Sequence, residues 1–87
     1  MATVFIPTSL RSLSGGVRSI QANASNVREV IDHLEEHFPG MRDRLCENGE
    51  LRKGIAVAVD SRVCSHGLLE KISPDSEVHF VPGVSGG

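Results

Sequence analysis

One amphipathic segment near the middle of the chain constrains the fold more than any other feature. Its apolar residues recur at helical spacing: Val27, Val30, Ile31, Leu34 and Phe38. Ser25 or Asn26 can cap the first turn, with Glu29 at the capping-box position after Asn26. Pro39-Gly40 ends the segment, because proline lacks a helical donor and clashes with the preceding turn. We therefore predict one helix over residues 26–38 that packs a single apolar stripe against the rest of the chain.

Strand-forming segments precede this helix. Residues 3–8 form a β-rich run that proline ends, since proline cannot donate a ladder hydrogen bond. Residues 17–21 alternate apolar and polar side chains, and the Gly15-Gly16 pair before them is typical of a reversal with positive φ. The two segments predict an N-terminal β-hairpin.

Shorter elements follow the helix. Residues 41–45 suggest a helical turn and residues 47–50 a polar loop. The apolar run 55–59 predicts a central strand buried on both faces, and residues 63–64 a short edge strand. Residues 77–81 predict a final strand. Between the last two strands, three side chains are expected to contact the core: Leu68, Leu69 and Ile72.

The order of these elements predicts an α+β fold of the β-grasp, or ubiquitin-like, type: one main helix packed across a mixed sheet of four to five strands, with the first and last strands parallel. At 87 residues the chain is short enough for a single domain. We expect this domain to span residues 1–82 and to be followed by a flexible tail, residues 83–87, that ends in Gly-Gly.

Composition excludes several classes of function. The net charge of −2 and the lack of Trp and Tyr argue against nucleic-acid binding. No apolar run approaches the length of a membrane helix and no signal-like N-terminus is visible, so we expect a cytoplasmic protein that does not bind membranes. Cys46 and Cys64 do not form a disulfide framework and read as reduced thiols. His33 and His37 stand at i and i+4, but no third ligand accompanies them, so we predict no metal site.

The C-terminal Gly86-Gly87 is the one segment that suggests chemistry. The reactive group is the carboxylate of Gly87, a poor electrophile that must be activated before a nucleophile can attack it. Adenylation by ATP provides such activation, and sulfide or a persulfide can then displace AMP to leave a thiocarboxylate. Glycine residues can pass through a narrow channel in which a Cβ would clash. A passive flexible end is the alternative interpretation of the same dipeptide.

The C-terminal sequence P-D-S-E-V-H-F-V-P-G-V-S-G-G resembles the end of the MoaD/ThiS family of ubiquitin-like sulfur carriers. The order of elements is similar over essentially the whole chain. The opening I-P-T-S-L-R, the helix end L-E-E-H-F-P-G and the segment R-L-C-E-N-G-E-L-R are most similar to the carriers of thiocarboxylate-dependent cysteine biosynthesis. Gly83, where several relatives have a second proline or another residue, is expected to make the tail more mobile.

The resemblance implies a role for each tail residue. Gly87 would be adenylated and converted to the thiocarboxylate, and Gly86 would be the channel residue before it. Ser85 and Val84 would lie along a groove of the activating enzyme. An exposed apolar patch would dock on partner enzymes, and its candidate residues are Phe5, Phe80 and Val81. Adjacent residues of a strand point to opposite faces, so only one of Phe80 and Val81, and one of Val4 and Phe5, can face away from the helix.

The resemblance also implies that the protein has no catalysis and no bound cofactor of its own. A ubiquitin-activating-type adenylyltransferase would use ATP to activate it. A sulfur-accepting synthase, in the first instance a PLP-dependent cysteine synthase, would take the sulfur, and a metal-dependent peptidase containing zinc would release the product. The small subunit of molybdopterin synthase, or a carrier for another thio-metabolite, shares this chemistry. A protein modifier that forms isopeptide bonds and a passive interaction module are alternatives of other classes.

Overall fold

The structure is a computed structural model that describes residues 1–64 and 66–82. Its strands and helices in chain order are β1 (Ala2–Phe5), β2 (Ser19–Ala22), α1 (Val27–His37), α2 (Met41–Leu45), β3 (Cys46–Glu47), β4 (Glu50–Leu51), β5 (Ile55–Val59), β6 (Arg62–Val63) and β7 (Glu77–Pro82). The described residues also form two short 3-10 turns, at Thr8–Leu10 and Gly67–Leu69.

Five strands form one mixed sheet in the order β2-β1-β7-β5-β6. Strands β1 and β7 are parallel, with Thr3 opposite Glu77 and Phe5 opposite His79. The other neighbours in this sheet are antiparallel. Helix α1 contributes four fully buried residues to the core, namely Val27, Val30, Ile31 and Leu34. The β-grasp architecture and the parallel pairing of the first and last strands are thus confirmed.

Strands β1 and β2 pair as predicted, but their connection is longer than a tight hairpin turn. Strand β1 ends at Phe5, and the chain then makes the 3-10 turn at Thr8–Leu10. Gly15 and Gly16 have φ angles of 65° and 88°, so the glycine pair does adopt the positive φ that its sequence suggests. The Ser14 hydroxyl lies within hydrogen-bond distance of the Arg11 and Val17 carbonyls, at 3.1 Å and 2.8 Å, which closes this connection on itself.

Both candidate capping residues contribute to the start of α1. The Asn26 side chain accepts a hydrogen bond from the Glu29 amide at 2.9 Å. The Glu29 carboxylate in turn accepts bonds from the Ser25 amide at 2.8 Å and the Ser25 hydroxyl at 2.9 Å. These two bonds, the amide first, hold the pKa of Glu29 below its usual range.

Acidic residues later in α1 connect it to α2. The Glu35 carboxylate accepts hydrogen bonds from the Arg42 amide at 2.9 Å and the Gly40 amide at 3.2 Å, which lower the pKa of Glu35. Asp32 pairs with the Arg42 guanidinium at 2.8 Å. The acidic face of the helix is therefore partly occupied by contacts within the domain.

Two tight turns create strands that the sequence did not predict in full. Asn48 and Gly49 have φ angles of 55° and 79°, and they join β3 to β4 where a polar loop was expected. Asp60 and Ser61 have φ angles of 52° and 69° and join β5 to β6 in the same way. A short edge strand is confirmed, but it lies at Arg62–Val63, one residue earlier than the predicted 63–64.

Two predictions about burial are wrong. Leu69 is 78% exposed, because the 3-10 turn directs it outward while Leu68 packs against the core. Strand β5 is buried on one face only: Val57 and Val59 lie in the core, whereas Ala56 and Ala58 are half-buried on the other face. A run of small apolar residues does not distinguish these two situations by itself.

A buried hydrogen-bond network fixes the start of β7. Ser76 is 2% exposed, and its hydroxyl donates to the Asp60 carboxylate at 3.0 Å and accepts from the Ser73 amide at 3.0 Å. The second carboxylate oxygen of Asp60 accepts from the Glu77 amide at 2.9 Å. The network therefore ties the β5–β6 turn to the first residue of the last strand.

The substitution Ser76→Ala should lower the free energy of unfolding by about 1–3 kcal/mol, because it removes the hydrogen bond from the Ser73 amide and the hydrogen bond to the Asp60 carboxylate. Urea denaturation measures this change. Ser12→Ala, at an exposed serine, is the matched control and should change stability by less than about 0.5 kcal/mol. Equal stabilities of the two variants would contradict the role of the network.

The substitution Glu35→Gln should lower the melting temperature at neutral pH, because an amide accepts these backbone bonds more weakly than a carboxylate. The folded-state pKa of Glu35 is lowered, so its stabilising contribution is complete above the unfolded-state pKa and is lost as pH falls through the folded-state pKa. The difference from wild type should therefore disappear at acidic pH. Thermal melts across pH, with the exposed Glu36→Gln as control, test this; a pH-independent difference would contradict it.

Candidate functional site

Among the elements that the structure describes, α1 covers one face of the sheet and none covers the other. Cross-strand register places Ala58 opposite His79, Ala56 opposite Val81 and Phe5 opposite His79. Directly opposite residues share a face, and Val63 joins them as the partner of Ala58 on β6. We call this surface the open face, which consists of Phe5, Ala56, Ala58, Val63, His79 and Val81.

The open face is apolar and partly solvent-exposed. Val63 is 72% exposed and Val81 is 38% exposed. The rings of Phe5 and His79 stack with centroids 4.2 Å apart and planes 5° from parallel. The Glu77 carboxylate oxygen Oε1 lies 3.8 Å from Nε2 of His79. Glu77 is the first residue of β7, so it borders the open face at the end of the strand opposite to Pro82. Small alanines beside an aromatic stack leave a shallow surface that suits contact with another protein.

The structure decides which predicted docking residues face outward. Phe80 is 4% exposed and packs in the core, so its side chain lies on the opposite face of β7 from any docking surface on the open face. Val81 is the outward member of that pair. Val4 is fully buried, and Phe5 is the outward residue on β1. Of the three predicted docking residues, two therefore lie on the open face, and the role in docking stays a prediction.

The sequence prediction missed several residues of the open face. The sequence places Ala56, Ala58 and Val63 in buried or edge strands, and its pattern assigns no site role to His79. A signal for His79 was present, because it alternates with Phe80 in β7 and must point away from the core if Phe80 points into it. For Ala56 and Ala58 the sequence carries no comparable indication, because all residues of β5 are apolar.

A groove of about 660 Å³ borders the open face where β1 and β7 end. Its lining includes Phe5, Pro7, Arg11, His79 and Val81. The Arg11 side chain donates to the Ile6 carbonyl at 3.3 Å, which places its guanidinium at this rim. The groove therefore joins the apolar surface to a positive charge.

The last strand ends at Pro82, opposite Ile55. The predicted site residues Val84, Ser85, Gly86 and Gly87, together with Gly83, lie outside the described residues. Their functions stay predictions. The structure places Pro82, the residue that precedes this segment, at the end of the central strand of the sheet.

Other candidate groups have ordinary environments. The rings of His33 and His37 lie 4.4 Å apart, and a ring nitrogen of His37 is 3.1 Å from the His33 carbonyl oxygen. Within residues 1–64 and 66–82, no cluster of three or more potential ligands could hold a metal ion. Burial raises the pKa values of the Cys46 and Cys64 thiols, which reduces the thiolate fraction at neutral pH.

In the part of the chain that the structure describes, no helix has the length and apolar character needed to span a membrane.

Comparison with known proteins places this architecture in a family. The sequence profile of the ThiS family matches residues 4–87. The sulfur carrier protein CysO of Mycobacterium bovis is 33% identical over 90 residues, which cover 98% of this chain and 97% of that protein.

Solved structures agree with this match. The chain superposes with a TM-score of 0.91 on a chain in the crystal structure of the Amycolatopsis orientalis BexX/CysO complex, with 34% identity and complete coverage of both chains. The crystal structure of Mycobacterium tuberculosis CysO gives a TM-score of 0.88 and 31% identity, with coverage of 97% of this chain and 100% of that one.

The contrast between the two phenylalanines is testable by truncation. Phe80→Ala should lower the free energy of unfolding by about 3–5 kcal/mol, since it empties a filled core position. Phe5→Ala should cost only about 0.5–1.5 kcal/mol, the scale of one aromatic pair. Chemical denaturation of both variants provides the measurement. Similar losses would show that Phe5 is a core residue and that the open face is assigned wrongly.

Proposed function

This chain belongs to the ThiS family, and from that premise we propose that it is a sulfur carrier whose Gly87 carboxylate is adenylated and converted to a thiocarboxylate. The sulfur then serves biosynthesis, in the first instance of cysteine. The protein itself catalyses no step in this proposal. It presents its C-terminus to enzymes that do.

One observation carries the proposal. The family match continues through residue 87 and so includes the terminal Gly86-Gly87, in a chain that is 33% identical to a named sulfur carrier over nearly its whole length. A likeness confined to the folded domain would support only the fold. Here the similarity reaches the residues that the chemistry requires.

The proposed reaction sequence begins with two steps on one carboxyl group. A carboxylate oxygen of Gly87 attacks the α-phosphorus of ATP, which forms the acyl adenylate and releases pyrophosphate. A sulfide equivalent then attacks the acyl carbon and AMP leaves, so that one oxygen of the original carboxylate is replaced by sulfur. Adenylation is required because AMP is a far better leaving group than oxide.

The geometry of the domain suits this role. Five residues follow Pro82, and at 3.3–3.6 Å per residue they extend at most about 17 Å. Pro82 itself pairs with Ile55 of β5 at the end of β7, which is the central strand of the sheet. A rigid origin with a short reach allows the carboxylate to enter a partner's active site while the open face contacts the partner's surface.

The partners are proposed from the same premise. A ubiquitin-activating-type adenylyltransferase would adenylate the Gly87 carboxylate with ATP. A PLP-dependent cysteine synthase would then transfer the sulfur to an aminoacrylate. An S-to-N acyl shift would then leave cysteine amide-linked to Gly87, and a zinc-dependent peptidase would release it by hydrolysis. The BexX/CysO complex of Amycolatopsis orientalis supports the idea that carriers of this kind bind other proteins directly.

Intact mass spectrometry tests the proposal. Incubation with the activating enzyme, ATP and sulfide should add to the protein the mass difference between one sulfur and one oxygen. Deletion of Gly87, or the substitution Gly86→Phe, should abolish this gain, because the carboxylate is displaced or the tail becomes too wide for a narrow channel.

Thermal melting is the control for these variants. Both should retain the wild-type transition, since the core found among the described residues is built from side chains between Ala2 and Phe80. Loss of the transition would show that the tail supports the fold. Ladders of higher-mass conjugates would indicate a protein modifier, and an unchanged mass of the wild-type chain would contradict the carrier function.

A further inference from the structure

Charges are unevenly distributed between the two ends of the chain. Residues 1–28 contain Arg11, Arg18 and Arg28 and no Asp or Glu, although the whole protein has a net charge of −2. The first acidic residue is Glu29, at the start of α1. The N-terminal third of the chain is therefore basic, although the protein as a whole carries a net negative charge.

The fold brings part of this basic segment to the end of the sheet at which the last strand stops. The Ile6 amide bonds the Arg18 carbonyl at 2.8 Å, so Arg18 stands next to the end of β1. The Arg11 side chain bonds the Ile6 carbonyl at 3.3 Å and lines the groove with Val81. Both cations thus lie on the β1 side of the point where β7 ends.

A third cation lies on the other side of β7. Ile55 is opposite Pro82, and the turn that leads into it contains Lys53, closed by a hydrogen bond from the Ile55 amide to the Arg52 carbonyl at 3.1 Å. Lys53 is exposed. We call Arg11, Arg18 and Lys53 the basic collar, because they flank the origin of the tail from both sides.

The collar cations are available for an external partner. The ion pairs found among residues 1–64 and 66–82 use Arg42, Arg52, His66 and His79, and none uses a collar residue. Arg52, adjacent to Lys53, is by contrast paired with Glu47 at 2.7 Å. Three cations without carboxylate partners in this part of the chain produce a local positive field at one end of a protein that is acidic overall.

We propose that the basic collar docks against an acidic rim around the tail channel of the activating enzyme, a proposal that rests on the function proposed above. The length of the tail supports the activating enzyme as the partner that contacts the collar. An enzyme that acts on Gly87 must place its reacting atoms within about 17 Å of Pro82, so its surface must cover the residues that surround Pro82.

The activating enzyme is the relevant partner because it must capture the unmodified chain from solution. Complementary charges around the entry site raise the rate of that encounter and orient the tail toward the channel. The apolar open face next to the collar then supplies the close contact. The collar and the open face meet at the groove that contains Phe5, Arg11 and Val81.

Charge reversal tests the collar with the same enzyme that converts wild-type protein in the mass assay. In the triple variant Arg11→Glu, Arg18→Glu, Lys53→Glu, the KM for the carrier should rise at least about tenfold at low salt, with kcat at saturation unchanged. The KM of the wild type should rise with NaCl, because salt screens the attraction, and that of the triple variant should not.

Arg62→Glu is the matched control. Arg62 pairs with Val59 at the far end of β5, four residues or about 13 Å along the strand from Ile55, which exceeds the screening length of about 10 Å at 0.1 M salt, the ionic strength at which this control is compared with the triple variant. Its KM should stay close to that of the wild type. Because Arg11 also bonds the Ile6 carbonyl, the double variant Arg18→Glu, Lys53→Glu provides a second test that leaves this bond intact, and thermal melting verifies its fold.

The outcomes separate the two proposals. Full conversion of the triple variant with an unchanged KM would overturn the collar and leave the carrier function standing. An effect confined to the later transfer of sulfur would also overturn it, since the collar would then serve the synthase. Failure of wild-type protein to gain sulfur would contradict both proposals.

Discussion

The parallel pairing of β1 with β7 is the interaction on which the rest of the structure depends. It makes the last strand the central strand of the sheet, with β1 on one side and β5 on the other. The buried Ser76 hydroxyl and Asp60 hold the start of this strand, and the Thr3 amide bonds the Ser76 carbonyl at 2.9 Å. At its other end β7 pairs with β5 up to Pro82, opposite Ile55, and from there residues 83–87 can reach only a limited volume.

This arrangement separates the parts of the domain by function. One face of the sheet packs under α1 and provides the stability of a small core. The other face has no covering element among the described residues and exposes the stacked Phe5 and His79 between small apolar side chains. Carboxylates of α1 cap the helices, as Glu29 and Glu35 do, or pair with Arg42. The collar cations, in contrast, remain unpaired within this part of the chain, at the end where β7 stops.

Many elements were predictable because their signals are local. The spacing of Val27 through Phe38 and the stop at Pro39-Gly40 defined α1 to within one residue at each end. The strands β3 and β4 around Asn48-Gly49 were harder to predict, because positive φ at the non-glycine Asn48 depends on the strands that the turn joins. The exposure of Leu69 and of the alanines in β5 was missed because an apolar side chain is buried only if another element covers it.

The sequence by itself determined the helix, the order of the main strands along the chain, the β-grasp architecture and the resemblance that directs attention to Gly86-Gly87. It could do so because periodicity, turn residues and a terminal motif are properties of neighbours along the chain. Tertiary structure decided that Phe80 faces the core while Phe5 and Val81 face outward, and it brought Arg11, Arg18 and Lys53 to the end of the sheet at which β7 stops. These residues are distant in sequence, so only strand register and packing could place them together.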